Sequence, residues 1–404
     1  MVNYVSSPAK LAAANGRIKR LYARSILSSL SGGASQPFIA VYAAVLGATS
    51  SQIGFLHAVN NLAASALQPL WGFLSDKRGS RVRPILYSTL ISSLLWVPIL
   101  VVNDPLFYIA LVGAQFIIAS VSAPIYTALI GEVVPLAVRS VVMATLNFWG
   151  QVGSIISTFS VGFGSLLGLP GYQLGFAIAA VAGVLSALVF WGMKEPHRPK
   201  VLSSELTVQY VIEHIIASRQ FLRFTIISNV YGFYMSIAWP GFTITMTRVL
   251  ELSFFEIAIL SIVSAVSGLI FSSIGRGVFE KLGDVRSLAY CRASLASLPV
   301  VYAYIPSFES LLLIDIVAGM VNAGINISLL LYITRITSVE DRGTFTAVYN
   351  LLQGVAFFFG SVVGGQLLQQ LEQSMGLADA LRITLTISAI GRLVFGLLHN
   401  QLSK

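Results

Sequence analysis

Gly72-Phe73-Leu74-Ser75-Asp76-Lys77-Arg78-Gly79-Ser80-Arg81-Val82-Arg83-Pro84 is a short charged stretch set between two long apolar runs. About 204 positions later, Arg276-Gly277-Val278-Phe279-Glu280-Lys281-Leu282-Gly283-Asp284-Val285-Arg286 repeats its order of acid, Lys and Gly. Asp76 is matched by Glu280, Lys77 by Lys281 and Gly79 by Gly283. A second pair agrees: Arg139 with Asn147 recurs as Arg342 with Asn350, a displacement of about 203. Two separate offsets that match within one residue point to one unit used twice.

Outward from this stretch the chain is apolar. Its 404 residues are 56% apolar and 10% charged, against about 25% charged in soluble domains, and the mean hydropathy is +0.81. A soluble core could not hide that much apolar surface. Twelve runs approach the roughly 20 residues a helix needs to cross a bilayer, near 25–46, 51–74, 84–102, 105–130, 139–165, 172–193, 220–247, 254–275, 287–305, 310–334, 343–370 and 379–398. The expected fold is an all-α membrane protein with two six-helix halves, 25–193 and 220–398. A β-barrel would need shorter, alternating segments.

The net charge of +9 follows membrane topology. With the start in the cytoplasm, all of the 25 Lys and Arg except Arg248 and Arg382 fall in or beside cytoplasmic loops, as the positive-inside rule requires. No basic stripe with nucleic-acid-type aromatics appears, so nucleic acid is not an expected partner. Residues 1–24 read as a basic cytoplasmic arm, either lying on the headgroups or disordered, and 399–404 as a short tail on the same side. Residues 194–219 carry Lys194, Glu195, His197, Arg198 and Lys200, then Val208, Val211, Ile212, Ile215 and Ile216 at helical spacing. They read as a linker with an amphipathic helix on the inner surface. No signal peptide is expected, because the first apolar stretch is long enough to span and lacks a clear cleavage site. Cys291 is the only cysteine, so no intramolecular disulfide forms.

Gly72, Asp76, Lys77, Gly79, Arg81 and Arg83 resemble the signature of the major facilitator superfamily of secondary transporters: Gly-x-x-x-Asp-Lys/Arg-x-Gly followed by basic residues, between spans two and three. The second copy departs from it, with Arg276 where the Gly would be. Physically, Gly72 would admit a close helix backbone, and Asp76 is placed to meet the positive N-terminus of a helix from the same side. The resemblance implies that this helix is span eleven, beginning near Gly343, and that Glu280 faces the start of span five near Ser140. These residues, with Lys281, Gly283, Arg139 and Arg342, would then form the inner gate. A topogenic basic loop explains the cations equally well, but not an acid at the same spacing in both halves.

Polar residues recur at helical spacing within several spans: Asp315, Gly319, Asn322 and Asn326 in span ten, and His57, Asn61, Ala64 and Gln68 in span two. Gln115 with Ser122 and Tyr126, Asn147 with Gln151, Ser154 and Thr158, and Asn229 with Ser236, Pro240 and Thr243 do the same in spans four, five and seven. Gln36 beside Pro37, and Asn350, add to the set, while Tyr231, Tyr234 and Trp239 are candidates to stack on an organic solute. Amides also serve as adhesion between membrane helices, and that reading stays open for any one of them. The resemblance implies that spans one, four, seven and ten line a central cavity. Pro37, Pro69, Pro98, Pro124, Pro240 and Pro299 interrupt apolar runs and would kink them.

Asp315 is the acid clearly within a span. It must be paired, hydrated or protonated, so it is either a proton carrier or half of a fixed ion pair with Arg382 or Arg248. His57 is a second proton-coupling candidate. The four His are dispersed, with no metal-spaced cluster and no nucleotide-binding glycine loop, so neither an enzyme nor a cofactor is expected. The expectation is a monomeric plasma-membrane transporter working by alternating access on a small neutral or amphipathic solute, with proton coupling open. An uncoupled facilitator and a non-transporting receptor of the same fold are the alternatives. The proton-driven drug exporters of the family carry an Arg in span four; residues 106–130 here have none, which weakens that assignment.

Overall fold

The computed structural model describes residues 8–195, 218–274, 282–338 and 341–403, and they are helical throughout apart from short turns. Four crossings are single helices over most of their length: Leu136–Leu166, Phe254–Ile274, Phe308–Ile336 and Arg342–Met375 form spans five, eight, ten and eleven. Gly171–Leu188 and Leu377–Leu398 form spans six and twelve. The other six are broken. Span one runs Pro8–Ser35, Gln36–Phe38, Ile39–Val45, and span two Ser50–Asn61, Leu62–Ala66, Gln68–Arg78. Span three is Val82–Leu94 with Trp96–Ile99, and span four Pro105–Ser120 with Ser122–Val133. Span seven is Arg219–Ile237, Trp239–Ile244, Thr245–Val249, and span nine Asp284–Ser294 with Ser297–Tyr304.

Every broken span has a proline just after one of its breaks. Pro37, Pro69, Pro98, Pro124, Pro240 and Pro299 each stand within the first three residues of the segment that follows an interruption. Proline has no N–H to give to the preceding turn, so it is tolerated where a helix starts afresh. Among the described residues, seven helical stretches, those of spans three, four, six, eight, ten, eleven and twelve, are long and apolar enough to cross a membrane.

The basic arm is not separate from span one, because the first helix begins at Pro8 and runs without interruption to Ser35. Arg24 is buried, its guanidinium 4.0 Å from the centre of the Tyr126 ring; the cation–π contact and its aliphatic stem fix it to the bundle. The tail is likewise docked: His399–Ser403 is a 3₁₀ turn with His399 fully buried. The proposed linker helix over 208–216 lies outside the described residues, as do Glu280 and Lys281.

The face carrying Arg78, Arg81, Arg83 and Arg139 is the basic face, and the opposite end is the far face. The two halves meet mainly where span two lies on span eleven and span five on span eight. Glycines set the distance: a Cβ on Gly54 would lie 2.6 Å from the Ser361 carbonyl oxygen and 2.8 Å from the Gly365 Cα, and one on Gly354 2.7 Å from the Ala66 nitrogen. Gly72 is different, since nothing among the described residues comes within 4 Å of a Cβ there. The close approach expected at Gly72 is therefore found at Gly54 and Gly354 instead.

The apolar core is continuous on the far side only. One cluster joins Ile39, Leu56 and Tyr108 of the first half to Ala238, Leu260 and Leu385 of the second. Toward the basic face the core splits. One cluster, around Leu21, Ile85, Leu129 and Phe190, belongs to the first half, and another, around Phe221, Phe224, Tyr332 and Tyr349, to the second. Among the described residues, the far face is thus shut by packing that the basic face lacks.

Gly54→Val should overpack this seam, costing the far-closed arrangement about 1–3 kcal/mol. Spin labels on the far ends of spans one and seven should then report longer distances at unchanged helicity. An unchanged distance would show that the seam does not hold the far face.

Candidate functional site

Three polar groupings stand out along the axis between the halves. The first is the clasp at the basic face. Gly79 ends span two at φ +64°, and Gly283 precedes span nine at φ +76°, both in the region that L side chains avoid. The matched glycines of the repeat thus share a positive φ, Gly79 as the left-handed cap that ends a helix and Gly283, with ψ 160°, as the extended residue that precedes one. Arg81 is buried at the centre of the clasp. Its Nη2 donates to Asp76 Oδ1 at 2.5 Å, its Nε to Glu132 Oε1 at 3.1 Å and its Nη1 to Ser75 Oγ at 2.9 Å. Spans two, three and four are joined through one guanidinium, whose planar fork suits several acceptors at once.

Glu195, just beyond span six, completes the clasp. It accepts from the N–H groups of Arg81 at 2.9 Å, Val82 at 3.1 Å and Arg83 at 3.2 Å, and from the Ser80 hydroxyl at 2.7 Å. These are the orphan donors at the start of span three, where the helix dipole also favours an anion. Burial pushes the Glu195 carboxyl up, but these four hydrogen bonds outweigh it and hold the carboxyl below its ordinary 4.5.

Asp76 does not simply face span eleven as expected; its carboxylate is engaged by Arg81. Arg139 and Arg342 bond within their own halves. Arg139 Nη2 donates to the carbonyl of Gly131 at 2.5 Å, and Arg342 Nη2 to that of Thr334 at 3.0 Å. Each reaches eight residues back to close the turn that precedes its span, so the repeat holds at the level of single bonds. In the second half Asp284 pairs with Arg335 at 2.8 Å.

The second grouping is a lock at the far face. Glu372 Oε1 lies 3.4 Å from Arg248 Nη1, and its Oε2 accepts from the Ser50 hydroxyl at 3.0 Å across the halves. Arg248 Nη2 donates to the Ala48 carbonyl at 2.5 Å, and the Ser51 N–H to Gln369 Oε1 at 3.2 Å. Deeper in, His57 Nε2 and Thr243 Oγ1 of span seven are 3.1 Å apart, beside Trp239, whose ring is 5.1 Å from that of Phe357. The fixed pair offered for Asp315 is absent, because Arg248 serves Glu372 and Arg382 pairs with Asp379 at 3.1 Å. Asp315 is half-buried, with no hydrogen-bond or ion-pair partner among the described residues.

The third grouping is a cavity of about 420 Å³ between spans one, five and eight. Gln36, Ser28 and Ser29 face it from span one, Gln151, Ser154 and Thr158 from span five, and Ser261 from span eight, with Pro37, Ile155, Ile262 and Ala265 between. Thr158 also donates to the Gly33 carbonyl at 2.7 Å, tying span five to span one. Not one lining residue is ionisable. Asn147 is exposed one turn from Gln151. Asn322 and Asn326 are exposed on span ten, which packs on span eight where a Cβ at Gly319 would strike the Ser264 backbone.

Other expected site residues are not brought to this cavity. Gln115 is buried with Oε1 unpartnered among the described residues, as is Oδ1 of half-buried Asn229. Asn350 is half-buried on span eleven. Tyr234 packs flat against Phe395, 5.6 Å between centroids, and against Gly391 of span twelve. Tyr231 donates to the Arg292 carbonyl at 3.1 Å.

Two bases are deep: Arg292 and Arg392 are buried in spans nine and twelve, but both bond within the second half and neither lines the cavity. Sequence reading missed Glu132, Glu195, Glu372 and Ser261. The first three are acids at helix ends, and an acid beside an apolar run was the available signal.

The chain matches the family model described as Major Facilitator Superfamily over residues 22–361. Among solved structures it resembles a mutant form of the nucleoside transporter NupG, with a TM-score of 0.77 at 17% identity, covering 96% of this chain and 100% of that one. A bacterial homolog of the human lysosomal transporter Spinster gives 0.71 at 15%, covering 98% and 97%, and a D-xylose-proton symporter 0.67 at 16%, covering 97% and 96%. No curated protein sequence matches.

Glu372→Ala removes the shared anion of the far-face lock, a loss of roughly one to two kcal/mol that should shift the closed population five- to thirtyfold. A cysteine at Ala265, with Cys291 replaced by Ser, should then react faster with impermeant maleimide added at the far face. Because the Glu195 carboxyl is held low, its contribution to stability is complete above the ordinary carboxylate value and is lost as pH falls through the lowered one. Thermal unfolding of Glu195→Gln should show lower Tm than wild type at neutral pH, with the gap closing on acidification.

Proposed function

This chain belongs to the Major Facilitator Superfamily, and on that premise we propose that it carries a small neutral solute, rich in hydrogen-bonding groups, through the cavity between spans one, five and eight. It is a secondary transporter in the membrane, not an enzyme. The observation that carries the solute class is the lining: five hydroxyl side chains and two amides, with no ionisable group, in about 420 Å³. An organic anion or cation would lose its hydration there with no fixed charge to replace it. A neutral solute with several hydroxyl or amide groups exchanges its water bonds for equivalent ones.

Alternating access follows from the asymmetry of the seam. The far face is closed by shared core, glycine contacts and the Arg248–Glu372–Ser50 lock, while the cores of the two halves separate toward the basic face. This is the arrangement of a carrier whose cavity is reached from the basic side. The excess of Lys and Arg on that side supports reading it, with both termini, as cytoplasmic, and the protein is read as one of the plasma membrane. One chain holds the complete site, so a monomer suffices. Asp76, Lys77, Arg81 and Glu280 act at the inner gate, where the clasp holds spans two, three, four and six as one body when the halves rock. Asp315 is the proton-coupling residue of this reading, since no cation among the described residues neutralises it and it lies one turn from Gly319, which seats span ten on span eight. His57, bonded to Thr243 across the seam, is the second.

Purified protein in liposomes, with interior pH recorded as neutral polyols, nucleosides and amides are supplied, tests both parts. Gln151→Ala should raise half-saturation for the transported solute roughly two- to tenfold, the value of one neutral hydrogen bond, with Tyr234→Phe unchanged. Asp315→Asn should abolish solute-dependent proton movement. Solute flux that is unaltered by Asp315→Asn and moves no protons would instead establish a facilitator.

A further inference from the structure

A second cleft, of about 410 Å³, opens on the basic face away from the transport cavity, between the start of span seven and the C-terminal turn. Arg223 and Gln401 stand at it with Ile226, Ile227 and Leu402. Arg219, one helical turn before Arg223, is exposed on the same side, and neither arginine has a hydrogen-bond or ion-pair partner among the described residues. Ile226 is 55% exposed and Leu222, one turn earlier, 36%. Cations at the membrane surface therefore stand directly above an apolar strip that continues into the bilayer.

The wall opposite span seven is firmly held. His399 Nδ1 is 2.7 Å from the Phe395 carbonyl and so carries the proton, leaving Nε2 to accept from Arg292, with Ser228 Oγ at 3.1 Å. Leu402 is buried in the core around Phe221 and Phe224. Gln401 is thereby presented to the cleft from a pinned turn, so the cleft is a formed feature of the fold.

We propose that this cleft binds one anionic phospholipid of the leaflet at the basic face, its phosphate on Arg219, Arg223 and the Gln401 amide and an acyl chain along Ile226 and Ile227. The two-part chemistry selects this occupant. A soluble anion has no use for the isoleucines, a zwitterionic lipid offsets its own phosphate, and an anionic lipid supplies both the charge and the chain. Nothing in the transport reading requires this site, and its test does not use flux.

The full-length protein in detergent would be titrated with phosphatidylglycerol, phosphatidylcholine of the same acyl chains, and glycerol 3-phosphate, and bound species counted by native mass spectrometry. Expected is one saturable phosphatidylglycerol, preferred over phosphatidylcholine by about tenfold, with its affinity falling by about tenfold or more in Arg219→Gln/Arg223→Gln. Ile226→Trp, which fills the cleft without changing charge at an exposed position, should exclude the lipid while leaving Tm unchanged. Equal binding of the two lipids, or full binding by the double variant, overturns the proposal. Glycerol 3-phosphate binding as tightly as the lipid would make the site one for a free anion and overturn it too. So would a wild-type cleft that takes no lipid.

Discussion

In a bilayer an apolar side chain gains little by exchanging lipid for a neighbouring helix, so two helical halves stay together only where backbones come close or polar groups bond. That constraint organises this protein. Gly54 against Ser361 and Gly365, and Gly354 against Ala66, bring spans two and eleven into backbone contact. The lock of Arg248, Glu372 and Ser50 adds polar bonds at the same end. Among the described residues, no comparable shared core joins the halves toward the basic face. The direction in which the cavity is reached is a consequence of where the small residues lie.

Within the first half the opposite principle operates. Arg81 is buried among spans two, three and four, and a guanidinium there stands only because Asp76 and Glu132 surround it. Glu195 brings span six to the same point through the start of span three. Spans two, three, four and six are thus tied at the basic end by one cation and three acids. A body tied in this way moves as a unit, which is what a seam built to open requires.

Much of this was legible beforehand, for local reasons. The prolines marked helix breaks because a missing N–H acts within one turn, and Gly79 and Gly283 marked positions of positive φ because tolerance of that backbone is a property of the residue itself. Gln36, Gln151, Ser154 and Thr158 converged on one cavity because helical spacing places them on common faces. Tyr234 did not, because the face it occupies was taken by Phe395 and Gly391 of a helix distant in sequence. Glu372 was overlooked because span eleven continues to Met375, so a residue read as loop stands on the helix at the seam.

The amino-acid sequence alone determined the membrane class, the twelve crossings, the duplication and the family, since each depends on composition, periodicity or residues close together in the chain. Which acid each arginine serves was decided only in three dimensions. The sequence offered Asp315 to Arg248, and packing of span seven beside span eleven gave it Glu372 instead. Asp315 was left without a cation by that choice, because ion pairing falls off within a few ångströms and the distances between spans are set by tertiary packing, not by position along the chain.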